Sequence, residues 1–327
     1  MIQGLAMSSS SILFLIFNRL DTASRVFEAI REARPSRLYI AADGPRLHKP
    51  KELEACLAVR NLATQVDWPC EVHTLFHNEN LGCAKAVKGA IDWFFEHEEE
   101  GIILEDDCLP RPEFFSFCSA MLDRWRNNEE IMMISGTNYL FGQIIEEKYY
   151  FSKVPFIWGW ATWRKAWKKY SFDVEKMRSE TTFFSLFCYL KHLLMALWLS
   201  SELIPQNIYS LNSWYYYWLS TILYNKKYTI SPTKNLITNI GELGAHGTTR
   251  SPFNYMPTQA MDISSLDHPA TINWGQEYDF IAFKNIVNNT FPIKKFFILH
   301  TKSICKTLSV YKFFKKIKDR INISFKY

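Results

Sequence analysis

The sequence predicts an α/β fold built on a mostly parallel sheet flanked by helices. Three observations lead there. Five short apolar runs alternate with segments of helical period over residues 10–140. Polar residues gather just after those runs. The 327-residue chain is 48% hydrophobic and 16% aromatic, enough for one large α/β domain or two ordinary ones, and little of it has the composition of a disordered chain.

Each element has a local reason. Ile12–Phe17 reads as a buried strand. Asp21 is placed to cap a helix carrying Ala23, Val26, Phe27, Ile30 and Ala33 at the helical period. "RLYIAADG" (37–44) is a strand ending in a turn, and Pro50 opens a second helix to about Val66. "CEVHTLF" (70–76) is a third strand, followed by the turn "HNENLG" and a helix from Cys83 to about Glu96. "GIILEDD" (101–107) is the fourth strand, Pro112 starts a helix, and "IMMISG" (131–136) is the fifth strand. In such a sheet ligands bind beyond the carboxyl ends of the strands. Those ends carry Asn18-Arg19, Asp43-Gly44, Asn80-Leu81-Gly82 and Glu105-Asp106-Asp107.

After about residue 140 the texture changes to aromatic-rich stretches, "FIWGWATWRKAWKKY" (156–170) and "SWYYYWLSTILY" (213–224), then a Pro/Gly-punctuated loop (231–252). The organisation expected is a domain over 8–262, with a ligand half at 8–140 and an aromatic half at 141–262, followed by a basic amphipathic region at 263–327. Residues 183–200 are apolar over a length that could span a bilayer, but Lys191 and His192 fall in the middle, so a buried or interfacial helix is expected. Seven scattered cysteines without a C-x-x-C argue against a disulfide framework or a cysteine-built zinc site and suit a reducing cytoplasm. The apolar run at 11–17 is too short, and lacks the basic start and cleavage site, for a secretion signal.

Glu105-Asp106-Asp107 poses the chemical question, because adjacent carboxylates repel and burial penalises them further. A plain strand end, capping the next helix or facing water, is one reading. The sharper one is a hard divalent cation, Mg²⁺ or Mn²⁺, held by few carboxylates and shared with a substrate's phosphates. Asn80-Leu81-Gly82 precedes a helix whose first turn holds Lys85, an arrangement suited to phosphate, although Lys85 could equally lie on a solvated face. Sugars stack on aromatic rings, so Trp158 or Trp160 is a candidate acceptor contact beside Gly159, while Trp163 and Trp167 read as core.

These residues resemble a family. "FNR", "AADGPR", "NLGCAKAVKGAIDWFF", "GIILEDDCLPRPEFF", "IMMISG" and "WGWATWRKAW", in that order over roughly residues 10–250, are similar to bacterial GT-A glycosyltransferases related to N-acetylglucosaminyltransferase I. The resemblance implies a Rossmann-like GT-A fold and an inverting, metal-dependent transferase. It implies that Asp107 binds Mn²⁺ or Mg²⁺, that Glu105 and Asp106 contact the donor's ribose and its surroundings, and that Asn18 and Arg19 line the nucleotide pocket. Asp43 would accept from a base N–H, as a carboxylate can from uracil. Trp158, Trp160 and Trp214 would face the acceptor, and His246, in "GELGAHGTT", would reach the metal or diphosphate. The donor would be a nucleotide diphosphate sugar, with a UDP-sugar expected, and the acceptor a surface glycan or lipid-linked oligosaccharide.

The pattern departs from the family at one place. Inverting transfer needs a general base, and the relatives carry an aspartate after the tryptophan of a W-D segment. Here the segment is Trp214-Tyr215-Tyr216-Tyr217-Trp218. A tyrosine, with a reference pKa of about 10, is a poor base at neutral pH. Glu242 is the substitute available in the following loop. A donor-binding module without transferase activity therefore stands as one alternative. A sugar nucleotidyltransferase is another, although "LFLIFNRLDT" lacks that class's Gly-rich loop.

The net charge of +5 is uneven. From Lys284 onward eleven Lys/Arg face one acid, so that end carries +10 and residues 1–283 carry −5. Phenylalanines and isoleucines interleave with those lysines, which suits an anionic membrane surface better than nucleic acid. A peripheral position on the inner face of the cell membrane is the location expected.

Overall fold

The computed structural model describes residues 10–143, 145–173, 175, 179, 181–202, 213–241 and 256–290. The strands are β1 Ile12–Ile16, β2 Arg37–Ala42, β3 Glu71–Phe76, β4 Glu100–Glu105, β5 Cys108–Pro110, β6 Ile131–Ser135, β7 Tyr149–Ser152, β8 Trp160–Trp163, β9 Tyr228–Pro232 and β10 Ile237–Asn239. The helices are α1 Leu20–Ala33, α2 Glu52–Ala63, α3 Cys83–His97, α4 Pro112–Trp125, α5 Arg164–Trp167, α6 Phe183–Leu190, α7 Leu193–Glu202, α8 Tyr215–Tyr224 and α9 Gln276–Thr290. Eight strands form one sheet in the order β3-β2-β1-β4-β8-β6-β9-β7, and β5 pairs with β10 in a separate antiparallel ribbon.

The first half follows the sequence expectation closely. β3, β2, β1 and β4 are mutually parallel, with Ile12 aligned on Leu38 on one side and on Ile102 on the other. Every residue of β1 is buried, as a strand covered on both faces requires. The strand period of two sorts its side chains: Ile12, Phe14 and Ile16 join the core beneath α1, α2 and α4, while Leu13 and Leu15 join the core beneath α3 and α8. The two-faced helical cover expected from the alternation is therefore present.

The second half completes the sheet with strands the sequence does not mark. β8 inserts antiparallel between β4 and β6, β9 runs parallel to β6, and β7 closes the edge antiparallel to β9. A third apolar cluster joins Tyr150 of β7 to α6, α7, α8 and α9.

Three local expectations change. Arg19, not Asp21, is the N-cap of α1; Asp21 sits in the first turn, where its charge favours the helix dipole. The apolar stretch 183–200 is two helices, broken at Lys191, whose φ of 49° is left-handed. Among the described residues no helix is long and apolar enough to cross a membrane. Gly159, at φ 61°, makes its close approach to protein, since a Cβ there would lie 2.5 Å from Ile237 of β10.

Candidate functional site

Chain order reverses between β1 and β4, which puts a crevice beyond their carboxyl ends. β1 delivers Phe17, Asn18 and Arg19 to it, and β4 delivers Glu105, Asp106 and Asp107. Arg19, three residues past the end of β1 and N-cap of α1, turns its side chain across the crevice. Its Nη1 donates to Asp107 Oδ2 at 3.0 Å and its Nη2 to Asp106 Oδ1 in a short ion pair. The backbone N–H of Phe17 donates to Asp106 Oδ2 at 3.1 Å. Burial works against the Arg19 charge, but Asp106 and Asp107 outweigh it, and its pKa is raised.

One guanidinium does not balance three carboxylates. Burial, then the charges of Asp107 and Asp106, push Glu105 up to about 8. Burial likewise pushes Asp106 to about 6, against the opposing pull of Arg19. The cluster is short of positive charge, and a second cation would relieve it.

The cavity beside these groups has a volume of about 360 Å³. Ala41, Ala42, Ala86 and Ala90 line it on the strand and helix sides, and their small side chains leave a slot. Arg19, Asp43, Arg46, His77 and the three acids supply its polar lining.

Asp43 is heavily engaged. Its Oδ1 accepts from the N–H groups of Gly44 and Leu81, each at 2.8 Å, and its Oδ2 from Gly82 N–H and Asn80 Nδ2, each at 3.0 Å. It pins the 80–82 turn ahead of α3, with Gly82 at φ 80°. Gly44 is required there because a Cβ would fall 2.3 Å from the Glu79 carbonyl carbon. Accepting from a base N–H would require Asp43 to share or release one of these four bonds. Lys85 is exposed and lies outside the cavity lining, whereas Cys83 and Ala86 of the same helix line it. Asn18 backs the wall, its Nδ2 donating to Glu52 Oε1 at 2.9 Å.

Sequence reasoning missed Arg46, Glu52 and His77. Glu52 is 7% exposed, accepts from the Arg46 N–H at 2.7 Å and forms an ion pair with the Arg46 guanidinium. That hydrogen-bonded ion pair holds Glu52 below its ordinary pKa. Arg46 in turn stacks over Phe17 at 5.5 Å. Nothing in "PRLHKPKELEA" separates this pair from a solvated helix start, because Glu52 becomes buried and Arg46 half-buried only on folding.

The aromatic expectations divide. Trp160 is 1% exposed and Trp214 2%, and they stack on each other at 5.5 Å inside the core, so no sugar face can reach either ring. Trp163 and Trp167 are core, as read. Trp158 is half-buried beside Tyr139. Tyr215 opens α8, and the first turn of that helix holds no carboxylate.

The residues that follow β10 pack against the charged end of the site. Ile240 N–H donates to the Asp107 carbonyl at 2.8 Å, and a Cβ on Gly241 would lie 2.7 Å from Asp107 Oδ2 and 2.8 Å from Arg19 Nη1. Gly241 thus lies directly beside Asp107. Glu242 and His246 lie outside the described residues, as does the basic stretch 291–327. Among the described residues no group of three or more His, Cys, Asp or Glu side chains converges as metal ligands.

The chain matches no family model and no curated protein. Among solved structures it is similar to HddC from Yersinia pseudotuberculosis, at 12% identity over 48% of this chain and 77% of that one, with a TM-score of 0.30. It is also similar to UDP-glucose pyrophosphorylase in complex with UDP-glucose, at 12% identity over 71% of this chain and 94% of that one, with a TM-score of 0.37. The apo form of UDP-glucose pyrophosphorylase gives 12% identity, 71% and 93%, and 0.35. Likeness at this level identifies neither a family nor an activity, and the functional reading rests on the pocket.

Proposed function

We propose that the pocket binds a nucleotide diphosphate sugar, with a UDP-sugar the expected donor, and that the chain is a metal-dependent glycosyltransferase of GT-A type. The observation that carries the proposal is the Arg19–Asp106–Asp107 cluster, with Glu105 beside it, at the end of β1 and β4 against an alanine-lined slot. A nucleoside fits such a slot, and a diphosphate reaches the charged end.

The donor set suits Mn²⁺ or Mg²⁺. Three carboxylates against one arginine leave an anionic surplus, and cations of this kind use one or two carboxylates, completing their shell with phosphate oxygens and water. Asp107 is the proposed ligand, with His246 as a second. Bound there, the cation would neutralise the diphosphate leaving group. Arg19 would hold Asp106 and Asp107 in place through its two ion pairs, leaving the cation to meet the diphosphate. The acceptor proposed is a surface glycan or lipid-linked oligosaccharide, approached from the side of Trp158, with inversion at the sugar carbon and Glu242 as the base.

A second reading has its own observation. The α8 first turn offers tyrosines where the resemblance calls for a carboxylate, which fits a donor-binding module that does not transfer. The test is nucleotide release from a panel of nucleotide sugars with Mn²⁺, with and without glycan acceptors. Acceptor-stimulated release, lost in Asp107→Ala, supports the transferase. Binding without release supports the silent module.

A further inference from the structure

The hairpin of α6 and α7 turns apolar side chains in two directions. Leu186, Leu190, Met195, Ala196 and Leu199 are buried against the body. Phe184 is 71% exposed, Leu193 53% and Phe187 38%. A solvated helix face ordinarily carries charge, yet α6 reads "FFSLFCYL" with none. The charged residues of 183–202 are Lys191 at the joint and Glu202 at the far end.

Positive charge borders this face. Lys191 is exposed, as is Lys226. The Tyr189 hydroxyl donates to the Lys227 carbonyl at 2.8 Å, which fixes the Lys226-Lys227 turn beside α6. Glu277 and His192 both line a shallow depression with Phe280. α9 packs on the hairpin through Phe280 against His192 at 4.6 Å and Phe283 against Trp198 at 5.6 Å. In sequence, α9 leads into residues 291–327, which hold ten Lys/Arg and one acid.

We propose that the α6–α7 hairpin is an interfacial membrane contact, laying Phe184 and Leu193 into an anionic bilayer while Lys191 and Lys226 meet its headgroups. An apolar face with a basic rim has the chemistry of an interfacial helix, and neither helix is long enough to span. A second copy of the chain is the poorer occupant. A two-fold contact through this face would set one basic rim against another, whereas anionic lipid complements it. The inference does not rest on the nucleotide-sugar reading, because lipid binding is measured without nucleotide.

The experiment is flotation of the full-length chain with phosphatidylcholine vesicles, with and without phosphatidylglycerol. Wild type should float with the anionic vesicles only. Phe184→Ser/Leu193→Ser, which keeps the whole basic tail, should lower the partition about tenfold or more, because each side chain loses its transfer from water. Lys191→Glu/Lys226→Glu should lower it at low salt and less at high salt. Unchanged melting temperatures would show that the variants fold. Undiminished flotation of Phe184→Ser/Leu193→Ser would overturn the proposal, leaving the tail as the sole anchor. So would wild type that floats with neither vesicle, or a double variant that loses only self-association in sedimentation.

Discussion

At the residue scale, Glu105 and Asp106 both have pKa values raised by burial, from 4.5 to about 8 and from 3.8 to about 6. An acid whose folded pKa is raised stabilises the fold fully below its unfolded value and loses that contribution as pH rises through its folded value. The metal-free protein should therefore lose melting temperature between about pH 4.5 and pH 8. Glu105→Gln should flatten that slope and stabilise the apo protein at pH 8 by on the order of 2 kcal/mol. Added Mn²⁺ should raise the wild-type melting temperature more at pH 8 than at pH 6. A slope of the opposite sign, measured by calorimetry across this range, would refute the charge-deficit account. Asp43 makes a separate prediction. Asp43→Ala removes one acceptor from three backbone N–H groups and Asn80, and should cost roughly 2 kcal/mol or more in denaturant unfolding. If its effect fell on donor affinity and not on stability, Asp43 would be a base reader as the sequence suggests.

At the scale of elements, the first five runs were legible because each is a short stretch of strand-forming residues bounded by polar turns; four are largely buried, and β3 at the sheet edge is not. The β5–β10 ribbon was not legible. Its strands are three residues long, and their pairing joins Cys108–Pro110 to Ile237–Asn239 across more than a hundred intervening residues. Yet that ribbon positions Gly241 against Asp107 and Arg19. Gly241→Ala should displace those two side chains and weaken donor binding about tenfold, with little change in melting temperature. Isothermal titration with the donor would measure it, and unaltered affinity would detach the ribbon from the site. The split at Lys191 was half legible: the charge in mid-run argued against a span, but the left-handed turn there is a tertiary outcome.

At the scale of the whole molecule, the parallel pairing of strands β1 through β4 and a crevice at their carboxyl ends follow from alternation, whereas the order β3-β2-β1-β4 is set by the fold. The antiparallel insertion of β8 between β4 and β6 does not follow from alternation either, since "WATW" pairs with residues 57 to 63 positions earlier in β4 and 25 to 27 earlier in β6. That insertion explains the corrected tryptophans. It buries Trp160 against Trp214, Trp167 and Trp218, so an aromatic run that suggests sugar stacking mostly builds core. Trp160→Ala should cost about 3–5 kcal/mol in unfolding free energy, whereas Trp158→Ala should leave stability within about 1 kcal/mol and reduce acceptor use. The carboxylates, Arg19 and Asp43 were legible as candidates, and they line the cavity, because they follow strand ends. Arg46 and Glu52 were not, because only the fold brings the loop after β2 over Phe17.

The central claim is that the Arg19–Asp106–Asp107 cluster, with Glu105 beside it, receives a cation together with a nucleotide sugar. It is tested most directly by the thermal shift of wild type and Asp107→Ala across nucleotide sugars, with and without Mn²⁺. The account predicts that one donor class stabilises wild type only when Mn²⁺ is present, and that Asp107→Ala abolishes the shift. No stabilisation of the folded wild type by any donor, or an equal shift in Asp107→Ala, would contradict it.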